Sequence, residues 1–207
     1  MTYIDPVLFK AAETGNIGPV ENYRTRLNQL LTPDENTILH VYLGNQTYGH
    51  SNVVKVLIDR AKALPTDSES GVTEAKKMLR MTNEEQDTAL HEAARHRRSH
   101  VVEILTKEDP EFSYSANVHG ETPLYMTASI GLWTEERGKV VDEILGNSIS
   151  VDYGGPNGRS ALHAAIMVGD DGRILRSNCC ELVDNRGWNA LHYAVASKDS
   201  KVFNEEV

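Results

Sequence analysis

The chain has 207 residues, of which 40% are hydrophobic and 25% charged, and its formal net charge is −9. These proportions are ordinary for a globular protein, and they argue against wholesale disorder because there is enough apolar material to bury a core. The negative charge argues against a nucleic-acid binder or a binder of anionic membranes, since both need basic surface. The basic run from Arg95 to Arg98 is interpreted as a solvated helix face.

Local features predict a cytoplasmic chain that does not insert into a membrane. The amino-terminal residues MTYIDPVLFKAAE lack the basic start and long apolar run of a signal peptide. The longest apolar stretch, ALHAAIMV, falls far short of the roughly 20 residues that span a bilayer. Cys179 and Cys180 are adjacent and are the only cysteines, so both are interpreted as free thiols in a reducing compartment.

One motif recurs along the chain. Aligned on its leucine, the motif reads DPVLFKAA at Asp5, NTILHV at Asn36, DTALHEAA at Asp87, ETPLYMTA at Glu121, RSALHAAI at Arg159 and WNALHYAV at Trp188. The anchoring leucines are Leu8, Leu39, Leu90, Leu124, Leu162 and Leu191. Their separations of 31, 51, 34, 38 and 29 residues scatter around a period of roughly 33 residues.

A second landmark follows the same register. In several units a glycine falls seven positions after the leucine, at Gly15, Gly131 and Gly169, and an apolar pair such as Val101-Val102 then opens a second helix. This order resembles the ankyrin repeat over nearly the whole chain. The resemblance implies an all-α solenoid of about six helix–turn–helix units joined by β-turn loops, the last unit incomplete. The expected units span residues 5–35, 36–84, 85–119, 120–156, 157–186 and 187–207.

The residues of the motif predict an architectural role. Thr88 and Thr122 stand where the chain enters a helix and can accept an orphan backbone N–H, and Pro123 occupies a first helical position that needs no N–H donor. In ankyrin repeats the motif histidine hydrogen-bonds locally and to the adjoining turn, and four histidines match it, while Phe9 and Tyr125 replace it elsewhere. The residues assigned to the motif are Leu39, His40, Thr88, Leu90, His91, Thr122, Pro123, Leu124, Leu162, His163, Leu191 and His192.

Departures from the period predict insertions. Residues 61–83 are expected to be an insertion that lengthens the second helix and continues as a partly mobile surface loop with a short helix at 74–79. Smaller insertions are expected at 44–48 and 132–139. The fifth unit is short, so its packing against the sixth is expected to be weak. Val202-Phe203 is expected to open a second helix of the sixth unit. No polar cap is visible there, which favours a fragment or a truncated paralogue.

Several stretches resemble the plant accelerated-cell-death ankyrin proteins more closely. They are residues 87–129, which contain EDPEF and GETPLYMTA, residues 155–165 and residues 183–194. Members of that family carry a cytoplasmic ankyrin array followed by several membrane-spanning helices, and act at the plasma membrane in salicylic-acid-linked defence and control of cell death. The resemblance implies that context. The alternative is a soluble truncated paralogue that competes for the same partners.

The sequence predicts a protein-binding surface and no enzyme, metal site or cofactor, because no nucleophile elbow, phosphate loop or zinc-hydrolase motif is present. The family resemblance implies binding of other proteins through the turn tips and the concave face of the first helices. The turn residues are Glu85, Gln86, Asp87, His119, Gly120, Glu121, Asn157, Gly158, Arg159, Arg186, Gly187 and Trp188. The concave residues are Arg95, His96, Ser129 and Ile130. Trp188 is either an exposed interface residue or packed against the neighbouring turn.

Overall fold

The computed structural model describes residues 2–22, 30–44, 51–66, 71–131, 134–169 and 181–202. The helices follow in chain order as α1 (Pro6–Thr14), α2 (Ile17–Asn22), α3 (Ile38–Gly44), α4 (Ser51–Lys62), α5 (Glu74–Arg80), α6 (Ala89–Arg95), α7 (Ser99–Glu108), α8 (Pro123–Ser129), α9 (Glu135–Asn147), α10 (Ala161–Met167) and α11 (Ala190–Val202). Two short strands, β1 (Thr2–Tyr3) and β2 (Leu30–Leu31), pair in parallel. Cys179, Cys180 and residues 45–48 of the insertion expected at 44–48 lie outside the described residues.

The helices form two layers. The first helices, α1, α3, α6, α8, α10 and α11, pack each against the next in that order. The second helices, α2, α4, α7 and α9, do the same beside them, and each second helix also packs on the first helix that precedes it. The described residues therefore form a solenoid of helix pairs, as the sequence predicted.

Local sequence signals set where the first helices begin and end. The Asp5 carboxylate accepts a hydrogen bond from the Val7 N–H at 2.8 Å, and the Thr122 hydroxyl accepts one from the Tyr125 N–H at 3.2 Å. Pro123 is the first residue of α8. At the other end of α1, Gly15 has φ +70°, a conformation that glycine adopts without steric cost. Thr122 and Pro123 confirm the predicted start of α8, and Gly15 confirms the predicted glycine turn.

The motif leucines form the core, with one exception. Leu8, Leu39, Leu90, Leu124 and Leu162 are each at most 1% exposed, which corresponds to about 2 kcal/mol of transfer free energy for each side chain. The exception is Leu191, which is 72% exposed, because α11 is the last first helix among the described residues and no described helix covers its outer side.

The segment predicted as an inserted loop contains a helix of the core. Within α5, Ala75, Met78 and Leu79 are at most 1% exposed, and the helix packs on α4 and α6. Arg80 at its end donates two hydrogen bonds to the buried Asp109 carboxylate, at 2.6 and 3.0 Å. The short helix expected at 74–79 is thus confirmed, but residues 74–80 are not part of a surface loop.

The insertion predicted at 132–139 is also partly wrong, because Glu135–Lys139 form the start of α9. Arg137 on this helix is 1% exposed. Its guanidinium donates hydrogen bonds to the carbonyl oxygens of Thr127 at 2.8 Å, Ala128 at 2.5 Å and Gly131 at 2.9 Å. A cation here satisfies carbonyl groups that the end of α8 leaves without helical partners.

The carboxy-terminal helix differs from its prediction. Val202 does not open a second helix but is the last residue of α11, which runs without a break for 13 residues from Ala190. Phe203 lies outside the described residues. The weak packing expected between the fifth and sixth units stays a prediction, because residues 170–180 also lie outside them.

Candidate protein-interaction surface

The turns between successive helix pairs are built by one polar residue each. The Asn83 side-chain oxygen accepts hydrogen bonds from the Glu85 and Asp87 N–H groups at 3.0 and 2.9 Å. Asn117 and Asp184 do the same for the backbone N–H groups two and four residues further on, at 2.8 to 3.0 Å. Such side-chain bonds mimic a backbone turn and fix it locally.

Backbone hydrogen bonds join the first three turns to one another and the last two turns to each other. The Glu84 N–H donates to the Asp34 carbonyl at 3.2 Å, the Val118 N–H to the Glu85 carbonyl at 3.0 Å, and the Asn185 N–H to Asn157 at 3.1 Å. We call residues 32–36, 83–87, 117–121, 155–159 and 184–188 the tip row. Because these links use main-chain atoms, they do not depend on the exposed side chains of the tip row.

The motif histidines connect each first helix to the next turn. His91 Nδ1 accepts a hydrogen bond from the Thr88 N–H at 3.0 Å, and its Nε2 lies 3.2 Å from the Glu121 carbonyl oxygen. Since a carbonyl only accepts, Nε2 carries the proton of the neutral ring. His40 and His163 repeat this pattern, with Nε2 2.8 Å and 2.9 Å from the carbonyls of Asp87 and Trp188. The predicted architectural role of these three histidines is confirmed.

The surroundings of His91 and His40 favour the neutral ring. Burial lowers the pKa of His91 from 6.5 to about 4, against the opposing charge of Asp87 and the hydrogen bond to Glu121. Burial also lowers the pKa of His40. A charged ring would place an N–H on Nδ1 facing the backbone N–H that it now accepts, so protonation breaks the local bond.

The residues predicted at the turns differ in exposure. Those that reach solvent are Glu85, Gln86, His119, Asn157 and Arg186, while Glu121 and Arg159 are half-buried. Asp87 was predicted to be part of the binding surface, but the residue is only 1% exposed. Its carboxylate accepts hydrogen bonds from the Asn117 amide at 2.8 Å and from Arg95 at 2.5 Å, so it holds neighbouring units together and is not available to a partner.

The basic run also differs from its prediction as a solvated helix face. Helix α6 ends at Arg95, whose guanidinium is shared between Asp87 and Glu92. His96 lies 3.5 Å from the Glu92 carboxylate. Arg98 lies beyond the turn and donates a hydrogen bond to the Tyr42 carbonyl at 3.2 Å. Two of the three arginines therefore bind protein acceptors.

The other concave residues, Ser129 and Ile130, are half-buried at the end of α8. The Ser129 hydroxyl donates a hydrogen bond to the Met126 carbonyl at 3.0 Å. Because this bond lies within the helix turn, the hydroxyl oxygen can still accept a hydrogen bond from a partner.

Trp188 is both packed and exposed. Its ring is stacked on His192, with 6.0 Å between centroids, and meets the edge of Tyr193 at 5.7 Å. The Arg186 guanidinium lies 4.8 Å from its centroid, yet 37% of the residue stays exposed. Trp188 packs on its own unit, with part of the ring facing solvent.

Tyr193 organises this cluster and was missed by sequence reasoning. Its hydroxyl donates to the Asp184 carboxylate at 2.7 Å and accepts from Arg159 at 3.2 Å and from Arg186 at 2.5 Å. The residue aligns with Glu92 and Ala164 of earlier units. The sequence signal that could have indicated Tyr193 is an aromatic residue at a position where the other units have a small or charged residue.

A cavity opens on the concave side of the first three helix pairs, which the sequence also did not predict. Its walls include Tyr3, Phe9, Glu13, Asp34 and Glu92, and His40 is part of its lining. Helices α1, α3 and α6 and the turn at 32–36 bring these residues together.

The described part of the chain has no group of three or more His, Cys, Asp or Glu side chains that could hold a metal ion. Within that same part, none of the helices combines the length and the apolar character needed to cross a bilayer.

Solved structures identify the architecture. The chain superposes on EF0377, described as an ankyrin repeat protein, with a TM-score of 0.66 and 18% sequence identity over 97% of this chain and 96% of that one. It also superposes on a chain of the complex described as the predatory endopeptidase Bd0816 from Bdellovibrio bacteriovorus with the immunity protein Bd3460, with a TM-score of 0.65 and 20% identity over 98% and 99% of the two chains. No family model and no curated protein matches the sequence. The chain has the ankyrin-repeat solenoid fold.

Proposed function

We propose that this chain is a protein-interaction module without catalytic activity. It binds a partner through the exposed side chains of the tip row and through the concave face of the first helices. The observation that carries the proposal is that one set of atoms in the tip row holds the turns in place while another set of side chains is exposed. Main-chain bonds and buried side chains such as Asp87 fix the row, while Glu85, Gln86, His119 and Arg186 reach solvent from it.

A rigid row that presents side chains suits binding. The partner meets groups that are already ordered, so little conformational entropy is lost when the complex forms. The row also presents residue types that are common at binding hot spots, since Trp188 and Arg186 lie against each other at its carboxy-terminal end.

The finer proposal places this module in plant defence. The resemblance of residues 87–129, 155–165 and 183–194 to the accelerated-cell-death ankyrin proteins supports a role in salicylic-acid-linked signalling and control of cell death. In such relatives the array lies at the cytoplasmic face of the plasma membrane. This finer proposal is supported by the sequence resemblance alone.

The test is affinity capture with matched variants. The tip variant carries Glu85→Ala, Gln86→Ala and Arg186→Ala, which removes one acid, one amide and one base. The control variant carries Asp59→Ala, Asn52→Ala and Lys55→Ala, which removes the same chemistry from the exposed face of α4. Circular dichroism first establishes that both variants keep the helical content of the parent chain.

Quantitative mass spectrometry then compares the proteins captured from plant cells that express each form. We expect at least one specific partner of the parent chain to be lost by the tip variant and kept by the control variant. A parent chain that captures nothing above background, or a partner set that the tip variant leaves unchanged, would refute binding through the tip row.

A further inference from the structure

We propose that the concave cavity of the first three helix pairs binds a basic segment of a partner protein, with one lysine or arginine side chain of that segment lying between Glu13, Asp34 and Glu92. This inference rests on the proposed function, because it names the chemical class of the partner that part of the same concave surface would recognise.

The cavity exists because one unit lacks a side chain where its neighbours have one. Gly44 at the end of α3 aligns with Glu13 in α1 and with Arg95 in α6. Among the described residues, the nearest atom to a Cβ added at Gly44 would be a Glu92 carboxylate oxygen at 4.0 Å. The described residues therefore leave a space beside Gly44, with a carboxylate on each flanking helix.

Two aromatic side chains form part of the wall. Tyr3 is 63% exposed and Phe9 is 36% exposed, and both line the cavity together with the three carboxylates. Phe9 stands at the position that a buried histidine occupies in later units, so its ring faces the groove and makes no bond to the next turn. An aromatic face beside carboxylates attracts a cation and tolerates the methylene groups of a lysine or arginine stem.

Among the described ion pairs of this surface, acidic residues outnumber the cations that pair with them. Glu13 pairs with Lys10 at 3.0 Å, and because both side chains are exposed the pair is weak. Glu92 contacts His96 at 3.5 Å and shares the guanidinium of Arg95 with Asp87, so two carboxylates share one arginine. Asp34 at the rim is exposed.

The residues around the cavity opening add further negative charge. The turns that flank the cavity carry further acidic residues, namely Glu35, Glu84 and Glu85. Among the described residues of the same half of the chain, Lys10 lies on α1, and Arg95, Arg97 and Arg98 lie at the end of α6 and in the turn after it. The other described cations lie on α4 and α5, in the second layer and beside it; these are Lys55, Arg60, Lys62, Lys76, Lys77 and Arg80. The acidic rim therefore adds to the attraction of a basic partner at the cavity.

The spread of the carboxylates favours a polypeptide as the occupant. The acids come from α1, from the turn at 32–36 and from α6, and do not converge as metal ligands do. The groove continues from the cavity along the acidic turns, where an extended segment can place further basic residues.

The experiment measures fluorescence anisotropy of a labelled ten-residue peptide of alternating arginine and glycine with the full chain. Peptides in which glutamine or glutamate replaces arginine serve as comparisons. We expect binding of the arginine peptide only, with affinity that falls as salt rises from 50 to 300 mM. The groove variant carries Glu13→Gln and Asp34→Asn, and the control variant carries Asp59→Asn and Asp142→Asn on α4 and α9.

Both variants change the net charge equally, so they separate a specific site from general attraction. We expect the groove variant to bind about tenfold more weakly, which corresponds to about 1.4 kcal/mol for the loss of two exposed ion pairs, and the control variant to change by less than about twofold. Equal weakening of the two variants would overturn the proposal, because binding would then follow net charge.

A steric variant, Gly44→Leu, keeps every charge and fills the open space. It is expected to weaken the arginine peptide about as much as the groove variant does, whereas unchanged binding would exclude the cavity. Sedimentation of the parent chain and of the groove variant tests whether a second copy of this chain occupies the cavity. If the parent chain self-associates and the groove variant does not, the occupant is a second copy and the proposal is overturned. If no basic peptide binds while the tip variant still loses a captured partner, the basic class is wrong and the proposed function stands.

Discussion

The tripeptide Ala-Leu-His occurs at residues 89–91, 161–163 and 190–192, and the last two copies lie in different surroundings. In α10, Leu162 is 1% exposed and His163 is fully buried. In α11, Leu191 is 72% exposed, and His192 is also exposed. Both histidines accept the same local N–H bond, from Ser160 at 3.0 Å and from Asn189 at 3.1 Å. The motif thus specifies the helix start by itself, while burial depends on the next unit of the solenoid.

The largest expected effect comes from a residue that ties two helices together inside the well-covered part of the array. Arg137→Ala removes three hydrogen bonds to carbonyl oxygens at the end of α8 and leaves those oxygens buried without a donor. We expect a loss of about 4 kcal/mol in the free energy of unfolding, measured by urea denaturation followed by circular dichroism.

Lys139→Ala is the control on the same helix. Its amine pairs only with the exposed Glu135 and Glu136, so a loss below about 0.5 kcal/mol is expected. Arg137→Lys should not restore the parent stability, because one ammonium group cannot reach three carbonyls as the guanidinium does. Equal stability of the two alanine variants would mean that Arg137 is solvated in solution.

The next effect tests the comparison of the two leucines directly. Leu162→Ala removes a fully buried side chain and is expected to cost about 3 kcal/mol. Leu191→Ala changes a side chain that is mostly in solvent and is expected to cost less than about 0.5 kcal/mol. The same denaturation experiment measures both. A large loss for Leu191→Ala would show that further structure covers α11 in solution.

A pH titration of stability sharpens the account of the buried histidines. The pKa of His91 is about 4 in the folded chain and about 6.5 in the unfolded chain. The unfolded chain therefore takes up the proton first, so the stability contributed by the neutral ring is complete above pH 6.5 and is lost as pH falls toward 4. Between pH 7 and pH 5 we expect a loss of about 2 kcal/mol from this residue.

The matched measurement is the same titration on His91→Gln. This variant has no titrating ring at position 91, so the difference between its stability curve and that of the parent isolates His91 from His40 and the carboxylates. Parallel curves between pH 7 and pH 5 would contradict the buried neutral state.

The sequence could predict those features that depend on interactions between residues close together in the chain. The starts of α6 and α8 were predictable because Thr88, Thr122 and Pro123 act on their own helix. The core role of α5 was not predictable, because Arg80 binds Asp109, which is 29 positions away. In the sequence, Asp109 resembles an ordinary polar residue of a loop. Similarly, nothing local to Arg137 indicates that the end of α8 surrounds it.

The candidate site divides in the same way. The exposed tips Glu85, His119 and Arg186 could be placed from the turn motif, because a turn presents its central residues to solvent. Asp87 could not, because its burial depends on Asn117 in the next unit. The cavity that joins Phe9 to Glu92 depends on packing between three first helices, and no single repeat contains the information that Gly44 leaves a space between them.

The smallest expected effect concerns the junction between α10 and α11, which carry the last two Ala-Leu-His copies. His163→Ala removes the bond from Nε2 to the Trp188 carbonyl and is expected to cost about 1 kcal/mol, while His192→Ala removes a local bond at an exposed end and is expected to cost only a few tenths. Native-state hydrogen exchange is the suitable measurement because it resolves local opening. In the parent chain we expect the slowest exchange between residues 88 and 145 and faster exchange beyond Gly169, since units there have fewer covering neighbours. His163→Ala should increase exchange at residues 184–196 and leave residues 88–145 unchanged. An increase across the whole array would mean that its units unfold together, and the difference between its middle and its carboxy-terminal end would then reflect only side-chain exposure.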